Sequence, residues 1–257
     1  MNKFLILMYH MISKPETTEE VKYACPPENL DRHMQKLIHN GFNPVSLEQI
    51  EQHLLSKVNL PKNSVAITFD DGFADNYTHA FPILTKHQIP ATVFLASGCM
   101  ESTNHWMTQR GLPTRKMLNW QQIREMDKYN IAFGAHTVTH PKLPELDTES
   151  ATYEIASSKK TVEDNLGKAC KHFAYPYGLF NTENRDGVEA TGYKLACSTR
   201  SGFNNAERDP FILHRIEVYG NDPWWKLKQK MTFGMNDASL LYPIKYYTGR
   251  LVNRFFL

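Results

Sequence analysis

The chain has 257 residues and a formal net charge of +2, with an ordinary composition of 41% hydrophobic and 22% charged residues. This length can bury one sizeable hydrophobic core, and α/β barrels of this size commonly form one domain. The near-neutral balance argues against a dedicated nucleic-acid-binding protein, which carries a concentrated basic face. We therefore expect one domain over residues 1–257 and no nucleic-acid partner.

In chain order, strand and helix signals alternate. The first half predicts a strand at Phe4–Tyr9, helices at Pro27–Asn40 and Leu47–Leu55, a strand at Ser64–Phe69, a helix at Asp75–His87 and a strand at Ala91–Ala96. The second half predicts a helix at Trp120–Tyr129, a strand at Ile131–Gly134, a helix at Thr148–Leu166, a strand at Lys171–Tyr175, a helix at Thr182–Thr191, strands at Lys194–Cys197 and Phe211–Val218, and a helix at Pro223–Met231. This alternation predicts parallel strands with crossover helices, and seven or eight strands fit a closed or nearly closed α/β barrel better than an open sheet.

Several features bear on cellular location. The apolar run from Phe4 to Tyr9 is too short for a secretory signal core and lacks a following small-residue cleavage site. No stretch is long and apolar enough to span a bilayer. The four cysteines form no C-x-x-C pair, which favours reduced, buried thiols. They are Cys25, Cys99, Cys170 and Cys197. We therefore expect a cytoplasmic protein.

The C-terminal tail, residues 238–257, has two interpretations. Its stretch from Leu240 to Leu257 mixes apolar and aromatic residues with Lys245, Arg250 and Arg254. A basic, aromatic-rich segment can lie on an anionic membrane surface, which would place the protein at the inner face of the membrane. The alternative, which we prefer, is a last helix packed on the body of the domain.

The unusual polar residues fall where predicted strands end. The strand Ser64–Phe69 runs directly into Asp70, Asp71 and Gly72. Two adjacent carboxylates repel each other, and a cation relieves that repulsion. A helix cap would explain one aspartate but not both.

A pair of histidines, His136 and His140, follows the strand Ile131–Gly134. Histidines four residues apart can point the same way on a helical turn or tight loop, and imidazole suits zinc and its neighbours in the transition series. The pair alone is a weak signal in a chain with eleven histidines. Together with a carboxylate at another strand end, it predicts a metal site with positions open to water and substrate.

Two further strand ends carry weaker signals. The segment Phe173–Gly178 contains a proline and a glycine that fix a sharp turn, which could offer a backbone donor to a developing oxyanion. Taken alone, the segment is better explained as an ordinary aromatic-rich turn. His10 follows the first predicted strand directly after Tyr9, on the same expected rim.

Together these motifs resemble the polysaccharide deacetylase family, also called carbohydrate esterase family four. The segments Thr68–Gly72, His136–His140 and Phe173–Gly178 are similar to its first three motifs, in that order. The resemblance implies a distorted (β/α)7-type barrel. It also implies a divalent metal, zinc by preference, held by Asp71, His136 and His140.

The resemblance further implies catalytic roles. Asp70 would act as general base on the attacking water, and the backbone N–H of Tyr177 would contribute to an oxyanion hole. The family's third motif usually begins with an arginine that orients the catalytic aspartate, and this chain has Ala174 there. From position alone we predict that Arg215 replaces it.

The general acid is a second departure from the family pattern. The family keeps a histidine in a late Leu-x-His motif, which His214 does not match because Leu213 directly precedes it. The chain is similar to circularly permuted poly-N-acetylglucosamine deacetylases, whose histidine follows an N-terminal strand. We therefore predict His10 as the general acid and keep His214 as the second candidate.

The predicted function is removal of an N-acetyl group from an N-acetylated sugar. A cytoplasmic location would favour a nucleotide-linked or lipid-linked glycan over a finished polymer. Tyr175, Tyr177, His214 and Trp106 are candidates for sugar contacts, although packing is the commoner role of such residues. Two alternatives stay open: hydrolysis of another amide or an O-acetyl ester, and a catalytically inactive carbohydrate-binding barrel.

Overall fold

The computed structural model of the protein describes residues 3–108 and 110–239. The strands are β1 (Leu5–Tyr9), β2 (Asn43–Pro44), β3 (Ser64–Phe69), β4 (Ala91–Leu95), β5 (Ile131–Ala135), β6 (His172–Ala174), β7 (Leu195–Cys197) and β8 (Ile216–Glu217). The helices are α1 (Pro27–His39), α2 (Leu47–Ser56), α3 (Phe81–His87), α4 (His105–Thr108), α5 (Trp120–Met126), α6 (Thr148–Leu166), α7 (Thr182–Ala190) and α8 (Trp224–Phe233). The expected tail segment Leu240–Leu257 lies outside the described residues.

The strands form one curled parallel sheet in the order β7-β6-β5-β4-β3-β1-β8, and β2 pairs with the beginning of β3. Strand β1 lies beside β3, with Leu5 opposite Val65 and Tyr9 opposite Phe69. The two strands therefore end at the same level, and Asp70 follows at that edge. The prediction of a parallel α/β barrel fold is confirmed.

Residues 211–218 were predicted as one strand, but only Ile216–Glu217 has regular strand pairing. The first part of the segment pairs with β7, where Leu213 bridges Cys197. The last part pairs with β1, where Ile216 lies opposite Leu7 and the Val218 N–H bonds to the carbonyl of Met8. Because the segment changes partner along its length, a continuous ladder cannot form. This crossing links the two ends of the curled sheet.

Local sequence signals fix most helix ends. Ser46 and Gln49 form a reciprocal capping box at the start of α2, and Asp147 accepts the Ser150 N–H at the start of α6. Helix α6 ends at Gly167 in the left-handed conformation, with φ +65°, as predicted. The expected helix 75–87 instead begins with a π-type turn at Asn76–Ala80. Pro82, which has no N–H to donate, is the second residue after this turn.

The strands supply much of the core, and apolar helix residues such as Leu30 and Ile155 complete it. Every residue of β1, β3 and β4 is buried, as expected for parallel strands covered on both faces. All four cysteines are free and buried, which confirms the prediction of unpaired thiols. Among the described residues, no helix combines the length and apolarity needed to cross a bilayer.

Candidate active site

The carboxyl ends of the strands surround a cavity of about 620 Å³. Five of the residues predicted to carry the chemistry line this cavity together: His10, Asp70, Asp71, His136 and His140. They come from the ends of β1, β3 and β5, which lie near one another in the sheet. The parallel arrangement therefore assembles one site from segments that are distant in sequence.

Asp70 is held by Arg215. The guanidinium donates from Nη1 to Oδ1 at 2.6 Å and from Nη2 to Oδ2 at 2.7 Å, and both side chains are almost fully buried. Arg215 also donates to the Ser198 carbonyl at 2.9 Å. Burial would raise the pKa of the Asp70 carboxyl, but the neighbouring positive charge of Arg215 holds that pKa below its usual value. Asp70 is therefore an oriented, ionised carboxylate.

Asp71 faces the two histidines. Its Oδ1 lies 3.4 Å from Nε2 of His136 and 3.2 Å from Nε2 of His140. Among the described residues this buried Oδ1 has no hydrogen-bond partner. Burial opposes ionisation of Asp71, yet its interactions with His140 and His136 keep the pKa of the carboxyl far below its usual value. An ionised, unpartnered carboxylate oxygen beside two imidazole nitrogens has the donor set of a cation site.

The spacing of these atoms suits a divalent metal. One ligand atom from each of Asp71, His136 and His140 lies within 4.8 Å of the others. In a tetrahedral zinc site with bonds of about 2.0–2.2 Å, neighbouring ligand atoms lie about 3.3–3.6 Å apart. The two distances from Asp71 Oδ1 are close to that range. Three protein ligands would leave a coordination position for water or substrate, as catalytic sites require.

The imidazole of His136 is oriented for ligation. Its Nδ1 lies 2.7 Å from the Ala174 carbonyl, so Nδ1 carries the proton and Nε2 presents its lone pair to the site. The loop that follows is tied to α6, because Glu154 accepts the backbone N–H groups of Val138 and Thr139. Glu154 also accepts the Thr139 hydroxyl at 2.6 Å. These bonds fix the path of the chain toward His140.

His140 is positioned by ring contacts. The Trp106 ring stacks on it with centroids 4.5 Å apart and an interplanar angle of 19°. Tyr177 approaches it edge-on at 4.6 Å. Trp106 and Tyr177 both line the cavity. Tyr177 has a left-handed backbone with φ +58°, which lets the turn Pro176–Gly178 bend sharply at the cavity wall.

Two predicted substrate contacts are wrong. Tyr175 is completely buried and donates its hydroxyl to the Phe211 carbonyl, so it packs in the core. His214 is not among the cavity-lining residues. Its ring packs so closely on Gly202 that an added Cβ there would lie 2.3 Å from its Nδ1. Arg215 points inward next to it, so His214 points away from Asp70 and does not compete with His10 as the general acid.

Sequence reasoning missed the charged rim of the cavity. Tyr23 and Arg110 line it, and Arg110 Nη2 donates to the Tyr23 hydroxyl at 3.1 Å. Lys22 and Glu217 also line it and form an ion pair at 3.2 Å. Lys22, Tyr23 and Arg110 lie outside the predicted strands and helices. No periodic pattern marks them as neighbours.

Comparison with known proteins identifies the family. A family model described as polysaccharide deacetylase matches residues 57–196, which is more than half of the chain. The chain belongs to the polysaccharide deacetylase family. The matched range contains Asp70, Asp71, His136 and His140, whereas His10 and Arg215 lie on either side of it.

Individual polysaccharide deacetylases are similar over most of their length. A poly-β-1,6-N-acetyl-D-glucosamine N-deacetylase of Staphylococcus aureus (strain MSSA476) is 25% identical over 237 residues, covering 84% of this chain and 79% of that protein. The structure of Streptococcus pyogenes deacetylase PplD in complex with acetate has a TM-score of 0.76 at 30% identity, covering 89% of this chain and 98% of that one. IcaB from Ammonifex degensii has a TM-score of 0.78 at 25% identity, covering 90% and 97%.

Proposed function

We propose that this polysaccharide deacetylase is a metal-dependent hydrolase that removes N-acetyl groups from an N-acetylglucosamine-containing glycan and releases acetate. The observation that carries the proposal is the unpartnered Asp71 Oδ1 between His136 and His140, immediately beside the Asp70–Arg215 pair. The relative from Staphylococcus aureus is named for N-deacetylation of a β-1,6-linked N-acetylglucosamine polymer. That name supports the substrate class.

Asp71, His136 and His140 would hold the metal, and zinc suits their one oxygen and two nitrogen donors. A bound divalent ion supplies Lewis acidity, which polarises the acetyl carbonyl and lowers the pKa of water in the site. The remaining chemistry is assigned to side chains and backbone of this chain.

Asp70 acts as the general base. Each of its oxygens accepts one Arg215 N–H, and a carboxylate oxygen has a second lone pair that can accept a proton from the attacking water. Arg215 keeps the carboxylate ionised and fixes its orientation. The water oxygen bonds to the acetyl carbon while its proton passes to Asp70.

The tetrahedral oxyanion and the leaving group are assigned to Tyr177 and His10. The backbone N–H of Tyr177 lies in the strained turn on the cavity wall and is the proposed oxyanion donor. His10, whose ring packs against Tyr23 with centroids 5.4 Å apart, faces the same cavity and is the proposed general acid. It gives its proton to the amine nitrogen as the carbon–nitrogen bond breaks. The products are acetate and a free amine.

The proposal is tested by acetate release from a panel of N-acetylated sugars. The panel contains β-linked N-acetylglucosamine oligomers, a nucleotide-linked sugar, a lipid-linked sugar and an O-acetylated sugar. Each is run with zinc, with chelator and with Asp70→Asn. Metal-dependent release from an N-acetylated member that is lost in Asp70→Asn supports the proposal. Release from the O-acetylated sugar alone, or from none despite bound metal, contradicts it.

The cellular setting is a separate proposal. Cytoplasmic location, action on a nucleotide-linked or lipid-linked glycan, and contact of the tail with the membrane inner face all rest on sequence alone. Cell fractionation of the full chain and of a chain truncated after Ser239 tests the location. Membrane association that disappears on truncation would support a membrane-surface tail, and association unchanged by truncation would contradict it.

A further inference from the structure

The charged side chains that line the cavity differ in whether an ion pair neutralises them. Asp70 is paired with Arg215, and Glu217 is paired with Lys22. Arg110 lines the same cavity and donates to the Tyr23 hydroxyl, and among the described residues it forms no ion pair with a carboxylate. Asp71, which lines the same cavity, acts on Arg110 from beyond ion-pair distance. Among the described residues, Arg110 is therefore a cavity-lining cation without a directly paired carboxylate.

Among the described residues, the Tyr23 side chain positions the Arg110 guanidinium and occupies only one of its N–H donors. Its Nη2 donates to the Tyr23 hydroxyl, and its guanidinium carbon lies 5.6 Å from the centre of the Tyr23 ring. A guanidinium has five N–H groups. In the part of the chain that the structure describes, that hydroxyl is the one side-chain contact through which Arg110 donates. The other N–H groups make no hydrogen bond to the described residues, so a ligand could use them.

The loops that carry this pair are fastened to each other. Glu20, fully buried, accepts from Arg115 Nε at 2.9 Å and from Arg115 Nη2 at 2.5 Å. Glu20 stands three residues before Tyr23, and Arg115 stands five residues after Arg110. A bidentate, buried ion pair of this kind restricts the relative movement of its two segments. Arg110 and Tyr23 thus form a preorganised edge of the cavity.

We infer that Arg110 and Tyr23 form an anion-recognising subsite, and that the glycan this enzyme deacetylates carries a phosphate or carboxylate group near the reacting acetamide. The inference rests on the proposed function, because the subsite opens into the same cavity as Asp70 and Asp71. A planar guanidinium binds both kinds of oxyanion through two parallel hydrogen bonds. An adjacent hydroxyl adds a third donor to the same group.

Lys142 provides a matched control. It also lines the cavity and carries the same charge, but it is paired with Glu145 at 2.9 Å on the exposed surface. If the cavity attracted anions only through its general positive potential, Lys142→Gln and Arg110→Gln would raise KM for an anionic glycan by similar factors. Direct recognition by the guanidinium N–H groups predicts a large increase in that KM for Arg110→Gln and not for Lys142→Gln. Arg110→Lys keeps the charge but loses the fork, so an intermediate effect is expected.

The experiment measures acetate release by the metal-loaded protein from three oligomers of N-acetylglucosamine of equal length. One is neutral, one bears a phosphate monoester and one bears a carboxylate. We expect Arg110→Gln to raise KM for at least one anionic oligomer by about 10-fold or more, with little change for the neutral one. The oligomer that shows the effect identifies the anion. Rising salt concentration should reduce the preference of the unmodified protein for that anionic oligomer over the neutral one.

The outcomes separate the two proposals. If the unmodified protein releases acetate from none of the oligomers, the proposed function fails. The unmodified protein could instead release acetate from all three oligomers at similar rates, with Arg110→Gln changing KM for none of them selectively. That result would leave the proposed deacetylase function standing and would overturn the subsite. Equal increases in KM for the anionic oligomers in Arg110→Gln and Lys142→Gln would also overturn the subsite, because they would indicate attraction by a long-range positive potential.

Discussion

Arg215 binds both carboxylate oxygens of Asp70, at 2.6 and 2.7 Å, although 145 residues separate the two in the chain. The pair connects the segment that closes the curled sheet to the end of β3. Its two charges are buried, so each depends on the other for compensation. The same contact therefore serves the fold and the proposed general base.

The first prediction concerns the buried pair. Arg215→Met should lower the free energy of unfolding by about 3–5 kcal/mol, because it leaves the Asp70 carboxylate buried without its counter-charge. Asp70→Asn combined with Arg215→Met should recover much of that loss. Urea unfolding with chelator present measures both. Equal stability of the single and double variants would contradict the assignment of a coupled pair.

The second prediction concerns Glu154. Glu154→Gln replaces one acceptor oxygen with an amide donor, so the carboxamide cannot accept all three bonds from Val138 and Thr139. The loop to His140 should loosen, and metal affinity should fall about 10- to 100-fold, as for other residues that orient a ligand. Competition with a chromophoric chelator measures the affinity. Glu149→Gln, exposed on the same helix, is the control. Comparable losses of metal affinity in Glu154→Gln and Glu149→Gln would contradict the proposal that Glu154 acts by holding the loop to His140.

The third prediction concerns the ion pair that joins the cavity loops. Glu20→Gln should raise KM for glycan several-fold and leave kcat nearly unchanged, because the two loops place Tyr23 and Arg110 at the cavity wall, where they would contact the glycan away from the reacting atoms. Glu16 binds the same Arg115 at 2.8 Å but is 60% exposed, so Glu16→Gln should have little effect. Steady-state kinetics on both variants test this. A fall in kcat without change in KM for Glu20→Gln would show that the pair supports the chemistry instead.

The fourth prediction is a pH dependence of stability from His33. Its Nδ1 lies 3.1 Å from the Tyr9 hydroxyl and its Nε2 lies 2.9 Å from the Asp222 carbonyl, an arrangement that satisfies the neutral ring. Burial lowers the pKa of His33 to about 4, whereas an unfolded histidine has a pKa of about 6.5. Below pH 6.5 the unfolded chain therefore binds the proton more readily. Stability falls as the pH drops from about 6.5 to 4.

The expected loss between pH 7.5 and pH 5 from this one residue is about 2 kcal/mol. It is measured by urea unfolding at both pH values, with chelator present so that metal release does not contribute. His33→Gln should reduce the pH dependence by that amount. His39→Gln, exposed on the same helix, should leave it unchanged. A pH dependence that is the same in His33→Gln and the unmodified protein would contradict the prediction.

The sequence predicted the strand ends well because alternating apolar segments and polar termini are local signals. Asp70 and His136 follow β3 and β5 directly, Asp71 and His140 stand one and four residues further along, and parallel pairing places all four together. Arg215 was also predicted by position, and its contact with Asp70 is present. The metal ligands and catalytic roles themselves stay predictions until they are measured.

The wrong predictions depend on side-chain direction and long-range contact. Tyr175 stands at a strand end like the others, but its hydroxyl reaches the Phe211 carbonyl inside the core. His214 and Arg215 are neighbours, and only one of two successive extended residues can face the site. Tyr23 and Arg110 both lie in turns outside the strands and helices, and their sequence positions are 87 apart. No local pattern encodes such an approach.

Several residues in and beside the site have an unfavourable backbone conformation. Asp71, Thr137, His140 and Tyr177 have φ values of +77°, +64°, +61° and +58°, each costing roughly 1 kcal/mol or more for a residue with a Cβ. A laboratory selection for heat resistance alone would therefore find easy gains here, by glycine or asparagine replacement. Replacement of Asp71 or His140 would remove a proposed metal ligand, and replacement of Thr137 or Tyr177 would change the backbone that positions a proposed ligand or the proposed amide donor. Engineering of this enzyme for durability should begin elsewhere, on exposed helix surfaces far from the strand ends.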